Sequence, residues 1–247
     1  MTPPPTSAEP PRRESFWTAL RQKAIEAYYL VEDFVPRPHN GSAWLRLLRL
    51  PNLLTVPGDV LAGFLLAPAA TGGDWAQLPL AIPSSLLLYG AGLALNDLFD
   101  YAEDLRERPE RPLPSGEISR EAAAAAALIF FWIAAFLAAF FDALAIAIPL
   151  ILCVILYNVG AKRHAFFGPF LMGASRAGNL LLGAASVSDG VPSSSLPWIG
   201  AAILGMYIAA VTRLARNETA PGAKFPPARI GRLLRLLIPL QALLGVA

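Results

Sequence analysis

Apolar residues in this chain are concentrated in long runs separated by short polar or charged segments. Beyond Ser42, most runs are close to the roughly 20 residues that a helix needs to cross a bilayer core. We predict seven spans, over residues 50–70, 78–99, 122–140, 143–160, 166–186, 196–214 and 230–247. Little more than Phe141 and Asp142 joins the third span to the fourth, which predicts a tight turn. The pattern therefore predicts an all-α, multi-span transmembrane helical bundle.

Residues 1–42 differ from the rest of the chain in composition. The first part is rich in proline and polar residues, which is typical of disorder. A mixed apolar and polar stretch over residues 16–34 fits either an amphipathic helix on the membrane surface or a simple linker. No apolar segment of the signal-peptide type follows the first charges. We therefore predict a cytoplasmic N-terminal segment, 1–42, and a transmembrane domain, 43–247.

Composition agrees with a membrane protein. Hydrophobic residues make up 55% of the chain, charged residues 15%, and the mean hydropathy is +0.49. A soluble domain carries more charge, about 25%. The net charge of +2 is too small to indicate a nucleic-acid partner. The single cysteine, Cys153, excludes a disulfide framework within this sequence.

Nearly all basic residues lie on one side of the predicted spans. Of the 20 Lys and Arg residues, 19 lie before the first span or in and around alternate connections that would share its side of the membrane. Cytoplasmic loops of membrane proteins carry this excess of positive charge. We therefore predict an integral protein of the plasma (inner) membrane with a cytoplasmic N-terminus.

A strip of acidic residues ends the second span. Asn96, Asp100 and Asp104 are four residues apart and share one face of a helix, with Asp97 slightly off that face. Carboxylates at the end of a membrane helix are costly unless a positive group binds them. Mg²⁺ prefers such oxygen ligands and often bridges them to phosphates. The strip therefore predicts a metal-dependent site for a phosphorylated substrate.

The one remaining basic residue, Arg176, lies in the middle of the fifth span. A central arginine costs about 2.5–3.5 kcal/mol on insertion scales, so it should face a polar cavity or an anion. Asn179, three residues on, shares its face. Two interpretations stay open: a structural ion pair within the bundle, or a cavity residue near the substrate.

The stretch NDLFDYAED, followed by RPERPLPSGEIS, resembles the first aspartate-rich motif of UbiA-type membrane prenyltransferases. Arg111, Pro112 and Gly116 match the segment that follows this motif in the family. The stretches YNVGAKRH and SRAGNLLLG are similar to the family's region between the fourth and fifth spans. The resemblance covers roughly residues 43–247, and within the family the chain looks most like the EboC-like group.

The resemblance implies a UbiA-type bundle that binds an isoprenoid diphosphate through Mg²⁺ and transfers its prenyl group to an acceptor of unknown identity, in contact with membrane lipid. It implies catalytic roles for Asp100 and Asp104. The implied metal ligands are Asn96, Asp97, Asp100, Asp104 and Glu218. The residues implied to contact the diphosphate are Asn96, Arg111, Tyr157, Lys162, Arg176 and Asn179.

The sequence departs from the family pattern in two places. A second acidic motif is expected after the sixth span, where this chain has Glu218 as the only acid beside Arg213 and Arg216. Either one metal is lost and a guanidinium binds phosphate instead, or these are ordinary loop charges. The family has eight or nine spans, so the sequence is expected to be incomplete or shortened at its C-terminus.

Three functions remain open on these residues. The first is prenyl transfer. The second is a protein that binds or translocates an isoprenoid or lipid-linked metabolite without reaction, which the degenerate second motif favours. The third, a CDP-alcohol phosphotransferase, requires an Asp-Gly and Ala-Arg pattern that NDLFDYAED lacks.

Overall fold

The apolar runs fold into helices whose ends follow the sequence pattern closely. The computed structural model describes residues 41–49, 53, 55–67, 75–188, 190–216 and 227–244. The helices within this part of the chain are α1 Gly41–Leu47, α2 Val56–Leu66, α3 Leu78–Phe99, α4 Tyr101–Glu107, α5 Arg120–Ala139, α6 Leu144–Val159, α7 Phe167–Ser188, α8 Ser195–Ala215, α9 Pro227–Arg235 and α10 Leu237–Leu244. The predicted N-terminal segment, apart from its last two residues, lies outside the described residues.

The predicted all-helical fold is confirmed. Each predicted span from the second to the sixth matches one helix to within two residues at either end. The first predicted span, 50–70, contains the shorter helix α2, which ends at Leu66 because Ala67 adopts an extended backbone with ψ 129°. The described residues contain no strand.

The described part of the seventh predicted span, 230–247, contains two helices. Helices α9 and α10 meet there and are separated at Leu236. Pro239 has no backbone N–H, so it cannot donate to the carbonyl of Arg235 as a regular helix would require. The Leu236 N–H instead donates mainly to the Leu233 carbonyl, at 3.0 Å, in a tighter turn.

The two ends of α5 illustrate how local sequence sets helix boundaries. At its start, the Ser119 hydroxyl accepts a hydrogen bond from the Ala122 N–H at 3.1 Å, which is a helix N-cap. At its end, the predicted tight turn is present, and Asp142 has a left-handed backbone with φ 52°. Aspartate tolerates that conformation better than most residues.

Helix α7 is the central helix of the bundle and packs most extensively against α8, α2 and α6, whereas α3 packs mainly against α5. Glycines allow the close approach of α2 to α7. A Cβ on Gly63 would lie 1.8 Å from the Leu180 carbonyl oxygen, and a Cβ on Gly183 would lie 2.0 Å from the Val60 oxygen. The two backbones therefore touch, and α7 is fixed beside α2.

Large apolar side chains cover the outer surface of the bundle. On α5, Leu128, Trp132 and Phe136 lie four residues apart and are 64%, 77% and 61% exposed. Within the described residues, α3, α5 and α8 are each long and apolar enough to cross a membrane. An outward apolar face of this extent belongs in lipid, so the chain is a membrane protein.

Candidate functional site

A cavity of about 230 Å³ lies between α3, α6 and α7. Apolar side chains form its walls, including Leu93, Leu150, Val154 and Met172. Asn96 lines one end and Tyr89 lies deeper, seven residues back along α3. This separation corresponds to about 10 Å along the helix axis. The cavity thus has polar groups at two depths and an apolar wall between them.

The deeper group is called the inner polar patch and consists of Tyr89, Arg176 and Asn179. The group at the end of α3 is called the outer polar group and consists of Asn96, Asp100, Tyr157 and Lys162. Tyr157 lines the cavity together with Asn96. The sequence predicted a substrate-binding role for every member of these two groups except Tyr89 and Asp100, the latter being predicted as catalytic and metal-binding.

The end of α3 positions the outer polar group. Asp100 terminates the helix, with φ −92° and ψ 0°, and its N–H donates to the Asn96 carbonyl at 3.0 Å. Asn96 and Asp100 therefore stay one helical turn apart, on the same side of the chain. Helix α4 then begins at Tyr101 and carries the rest of the acidic strip.

Lys162 joins Asn96 and Asp100 from another helix. It lies in a short 3₁₀ turn, Ala161–Arg163, that follows α6. Its ammonium nitrogen is 2.6 Å from a carboxylate oxygen of Asp100 and 3.2 Å from the amide oxygen of Asn96. The structure therefore brings Lys162 to two residues that are distant from it in sequence, and it places a cation between two oxygen donors.

The other two acids of the strip, Asp97 and Asp104, bind arginines instead. Asp97 accepts a hydrogen bond from Arg49 at 2.9 Å. Asp104, which is fully buried, pairs with Arg111 at 2.6 Å and with Arg108 at 3.2 Å. Arg111 also approaches Asp97, at 3.8 Å. The predicted strip is thus divided into one pair of residues facing Lys162 and one pair fixed by arginines.

The division of the strip limits which residues could bind a metal ion. Within the described residues, no group of three or more His, Cys, Asp and Glu side chains is arranged to hold a metal ion. Asn96 and Asp100 supply two hard oxygen donors, and the Lys162 ammonium lies where a cation is stabilised. Mg²⁺ binds through one or two carboxylates, waters and substrate phosphates. The donor set fits a Mg²⁺ whose remaining ligands are waters and phosphate oxygens.

Arg111 lies at the start of the segment that links α4 to α5. Further along that segment, Glu117 forms an ion pair with Arg46 of α1. The hydrogen bond from Arg46, together with one from Ser115, lowers the pKa of the Glu117 carboxyl below its usual range. The segment is therefore tied to α1 from the outside while Arg111 binds Asp104 and Asp97 inside.

The inner polar patch is built on a buried ion pair. The Arg176 guanidinium contacts both carboxylate oxygens of Asp59, at 2.8 and 2.9 Å. Asn179 donates to the same carboxylate at 3.1 Å, and Gln241 of α10 donates to it at 2.6 Å. Asp59 has no exposed surface. Arg176 is therefore both a structural ion-pair partner and, since it lines the cavity, a cavity residue.

Asp59 is the main residue that sequence reasoning missed. It is the only acid in the first predicted span, and Arg176 is the only base in the fifth. Ionisable residues inside a membrane pair with one another or with backbone carbonyls. A lone acid and a lone base in two different spans were the signal that could have predicted this contact.

The predicted second motif is only partly described. Glu218, predicted as a metal ligand, lies outside the described residues. Arg213 donates to the Ala165 carbonyl at 3.1 Å, and Arg216 donates to the His164 carbonyl at 2.7 Å. Both arginines thus bind the backbone of the α6–α7 connection, which carries Lys162. This contact favours the interpretation of both as loop charges that hold that connection.

Comparison with known proteins agrees with the acidic motif and the helical bundle. The model of the UbiA prenyltransferase family matches residues 59–247. The chain belongs to the UbiA prenyltransferase family. A digeranylgeranylglyceryl phosphate synthase of Methanoregula boonei is 33% identical over 151 residues, which cover 59% of this chain and 54% of that protein. A synthase of the same name from Methanothrix thermoacetophila is 28% identical over 191 residues, covering 76% and 71%.

This UbiA family member also resembles solved structures. A chain from a structural study of digeranylgeranylglyceryl phosphate synthase in membranes aligns with a TM-score of 0.61 at 22% identity, over 82% of this chain and 75% of that chain. A UbiA homolog from Archaeoglobus fulgidus, bound to DMAPP and Mg²⁺, aligns with a TM-score of 0.59 at 19% identity, over 81% and 74%. These likenesses show the fold. The chain spans about half the length of the Methanoregula boonei relative.

Proposed function

We propose that this protein binds an isoprenoid diphosphate through Mg²⁺ at the outer polar group and transfers the prenyl group to an acceptor. One observation carries the proposal: Lys162 bridges Asn96 and Asp100 at the polar end of an apolar cavity. Family membership supports it. Such a site matches an amphiphile whose charged end binds a cation and whose tail is apolar.

The proposed reaction breaks the bond between the allylic carbon and the diphosphate oxygen, and the electron pair leaves with the diphosphate. An acceptor carbon or oxygen forms the new bond and loses a proton. Asp100 and Asn96 would hold the Mg²⁺, which would supply positive charge to the leaving diphosphate. The Lys162 ammonium would donate to phosphate oxygens and stabilise the same charge.

The apolar walls have a separate role in the proposed reaction. Leu93, Leu150, Val154 and Met172 give the prenyl tail a non-polar environment. They also keep water away from the allylic cation, since none of them offers a hydrogen bond to water. We assign Asp97 and Asp104 mainly to holding Arg49 and Arg111, with Asp100 and Asn96 as the ligands nearest the metal.

The side of the membrane on which the site lies is proposed from the distribution of Lys and Arg. The outer polar group lies at the end of the bundle that is rich in Lys and Arg, which supports a diphosphate site at the cytoplasmic face of the plasma (inner) membrane. A metal role for Glu218 remains part of the proposal and depends on residues outside the described part of the chain.

The acceptor is the open part of the proposal. The resemblance to the EboC-like group remains a prediction, while several relatives are named digeranylgeranylglyceryl phosphate synthase. Their name supports a geranylgeranyl donor and a geranylgeranylglyceryl phosphate acceptor as the first substrates to test here.

The test uses the full chain purified in detergent with geranylgeranyl diphosphate and Mg²⁺. Diphosphate release and lipid binding are measured for the wild type, for Asp100→Asn, and for Glu103→Gln as a control. Glu103 carries the same charge on α4 but is exposed. We expect Asp100→Asn to lose both signals and Glu103→Gln to keep them. Equal behaviour of the two variants would contradict the proposed site.

Binding without turnover, across a panel of acceptors that includes geranylgeranylglyceryl phosphate, would support the alternative of a protein that binds or translocates the lipid. Absence of Mg²⁺-dependent binding would contradict both functions.

A further inference from the structure

The inner polar patch contains hydrogen-bond donors that the protein itself does not use. Nη2 of Arg176 donates to the Thr55 carbonyl and to Asp59, and Nε contacts the other oxygen of Asp59. No described residue accepts from Nη1 of Arg176, although this side chain lines the cavity. A guanidinium has five N–H donors, so two of them remain available to a ligand.

A second polar group lies in the same cavity. Tyr89 is half-buried and lines the cavity together with Arg176 and Arg49. Its hydroxyl has no hydrogen-bond partner among the residues that the structure describes, and it can donate or accept. A ligand oxygen between Tyr89 and Arg176 would therefore find donors, and a ligand hydroxyl would also find an acceptor.

Charge compensation decides which ligand fits. The positive charge of Arg176 is offset by Asp59, and Arg49, which also lines the cavity, is offset by Asp97 at 2.9 Å. Both oxygens of Asp59 are occupied by donors. A carboxylate entering here would lose its hydration, meet no net positive charge and be repelled by Asp59. An uncharged oxygen would lose far less and still gain hydrogen bonds.

We propose that the inner polar patch binds an uncharged oxygen-bearing group of the acceptor, a hydroxyl or a carbonyl, and selects against an anionic group. This inference rests on the proposed function for the identity of the ligand as an acceptor. It names the chemistry at the inner end of the cavity, about 10 Å from the outer polar group. A charged end of such an acceptor would lie outside the inner patch.

The test compares two small probes that differ in one group: 4-butylbenzyl alcohol and 4-butylbenzoate. Their dissociation constants are measured by calorimetry on the full chain in detergent at neutral pH. We expect the wild type to bind the alcohol at least about tenfold more tightly than the benzoate. Asp59→Asn leaves the charge of Arg176 uncompensated, so the preference should reverse toward the benzoate.

The double variant Asp59→Asn with Arg176→Gln is the matched control. It removes both charges, and we expect it to retain a preference for the alcohol. If Asp59→Asn alone does not fold, the relative affinities of the wild type and the double variant for the alcohol and the benzoate still test the inference. Tighter binding of the benzoate by the wild type, or no binding of the alcohol, would overturn the inference.

Mg²⁺-dependent binding of geranylgeranyl diphosphate is measured on the same samples. Its loss together with an intact alcohol preference would contradict the proposed function and leave the inner site in place. Its presence with a benzoate preference would overturn the inner site alone.

Discussion

The carboxylate of Asp59 and the guanidinium of Arg176 form a buried ion pair at 2.8 Å, although they lie 117 residues apart in sequence. The pair joins α2 to α7 at the same interface where glycines bring the two backbones into contact. Asn179 and Gln241 complete the hydrogen bonds of the carboxylate. One contact thus sets both the packing of the central helix and the chemistry of the inner cavity wall.

Removing one member of this pair should be strongly destabilising. Arg176→Met leaves a buried, unpaired carboxylate, for which we expect a loss of about 3–5 kcal/mol in the free energy of unfolding. The double variant Asp59→Asn with Arg176→Gln should recover most of that loss. Denaturant unfolding in detergent measures both, and a double variant no more stable than the single one would contradict the ion-pair interpretation.

The close approach of α2 to α7 should not tolerate a methyl group. Gly63→Ala and Gly183→Ala each place a Cβ within 2.0 Å of a backbone oxygen, so the helices must separate. We expect each to destabilise the protein by about 3 kcal/mol or more, the upper part of the range for overpacking. Gly231→Ala in α9 is the control, because a Cβ added at Gly231 would have nothing within 4 Å. Thermal unfolding midpoints give the comparison.

Substitution of Lys162 should change the affinities for Mg²⁺ and for the diphosphate in opposite directions. Without it, Asp100 is free of its ammonium partner, so Mg²⁺ alone should bind more tightly to Lys162→Met than to the wild type. Geranylgeranyl diphosphate should bind about tenfold to a hundredfold more weakly, because a charged hydrogen bond is lost. Titrations of Mg²⁺ and of the diphosphate test the two signs separately.

Arg163→Met is the control for Lys162. Arg163 lies in the same 3₁₀ turn but is exposed, and we expect little change in either affinity. A loss of diphosphate affinity as large as that of Lys162→Met would point to a general effect of charge at this end of the bundle.

Substitutions of Asp104 and of Asp100 should differ in their effects on stability and on Mg²⁺-dependent binding. Asp104→Asn weakens two ion pairs of a fully buried side chain, so the free energy of unfolding should fall by about 1.5–3 kcal/mol. Asp100→Asn should change stability by less than about 1 kcal/mol but abolish Mg²⁺-dependent binding. Unfolding and Mg²⁺-dependent binding are measured on both variants. A larger loss of stability for Asp100→Asn than for Asp104→Asn would contradict the assignment of Asp104 to structure and Asp100 to binding.

Much of the fold followed from local sequence. The spans from the second to the sixth and the turn at Asp142 were predicted because apolar length and turn residues act over neighbouring positions. Within the predicted span over residues 230–247, the break between α9 and α10 was not predicted. Hydropathy alone does not register the missing N–H of Pro239, which interrupts the helix at Leu236.

A helical membrane protein with acidic residues at one helix end could be inferred without a structure, since lipid requires long apolar helices and penalises lone charges. Which charges meet depends on how the helices pack. Lys162 meets Asp100 and Arg176 meets Asp59 because helices distant in sequence pack side by side. The energy of an ion pair depends on the distance between two groups, and the packing of the whole bundle sets that distance.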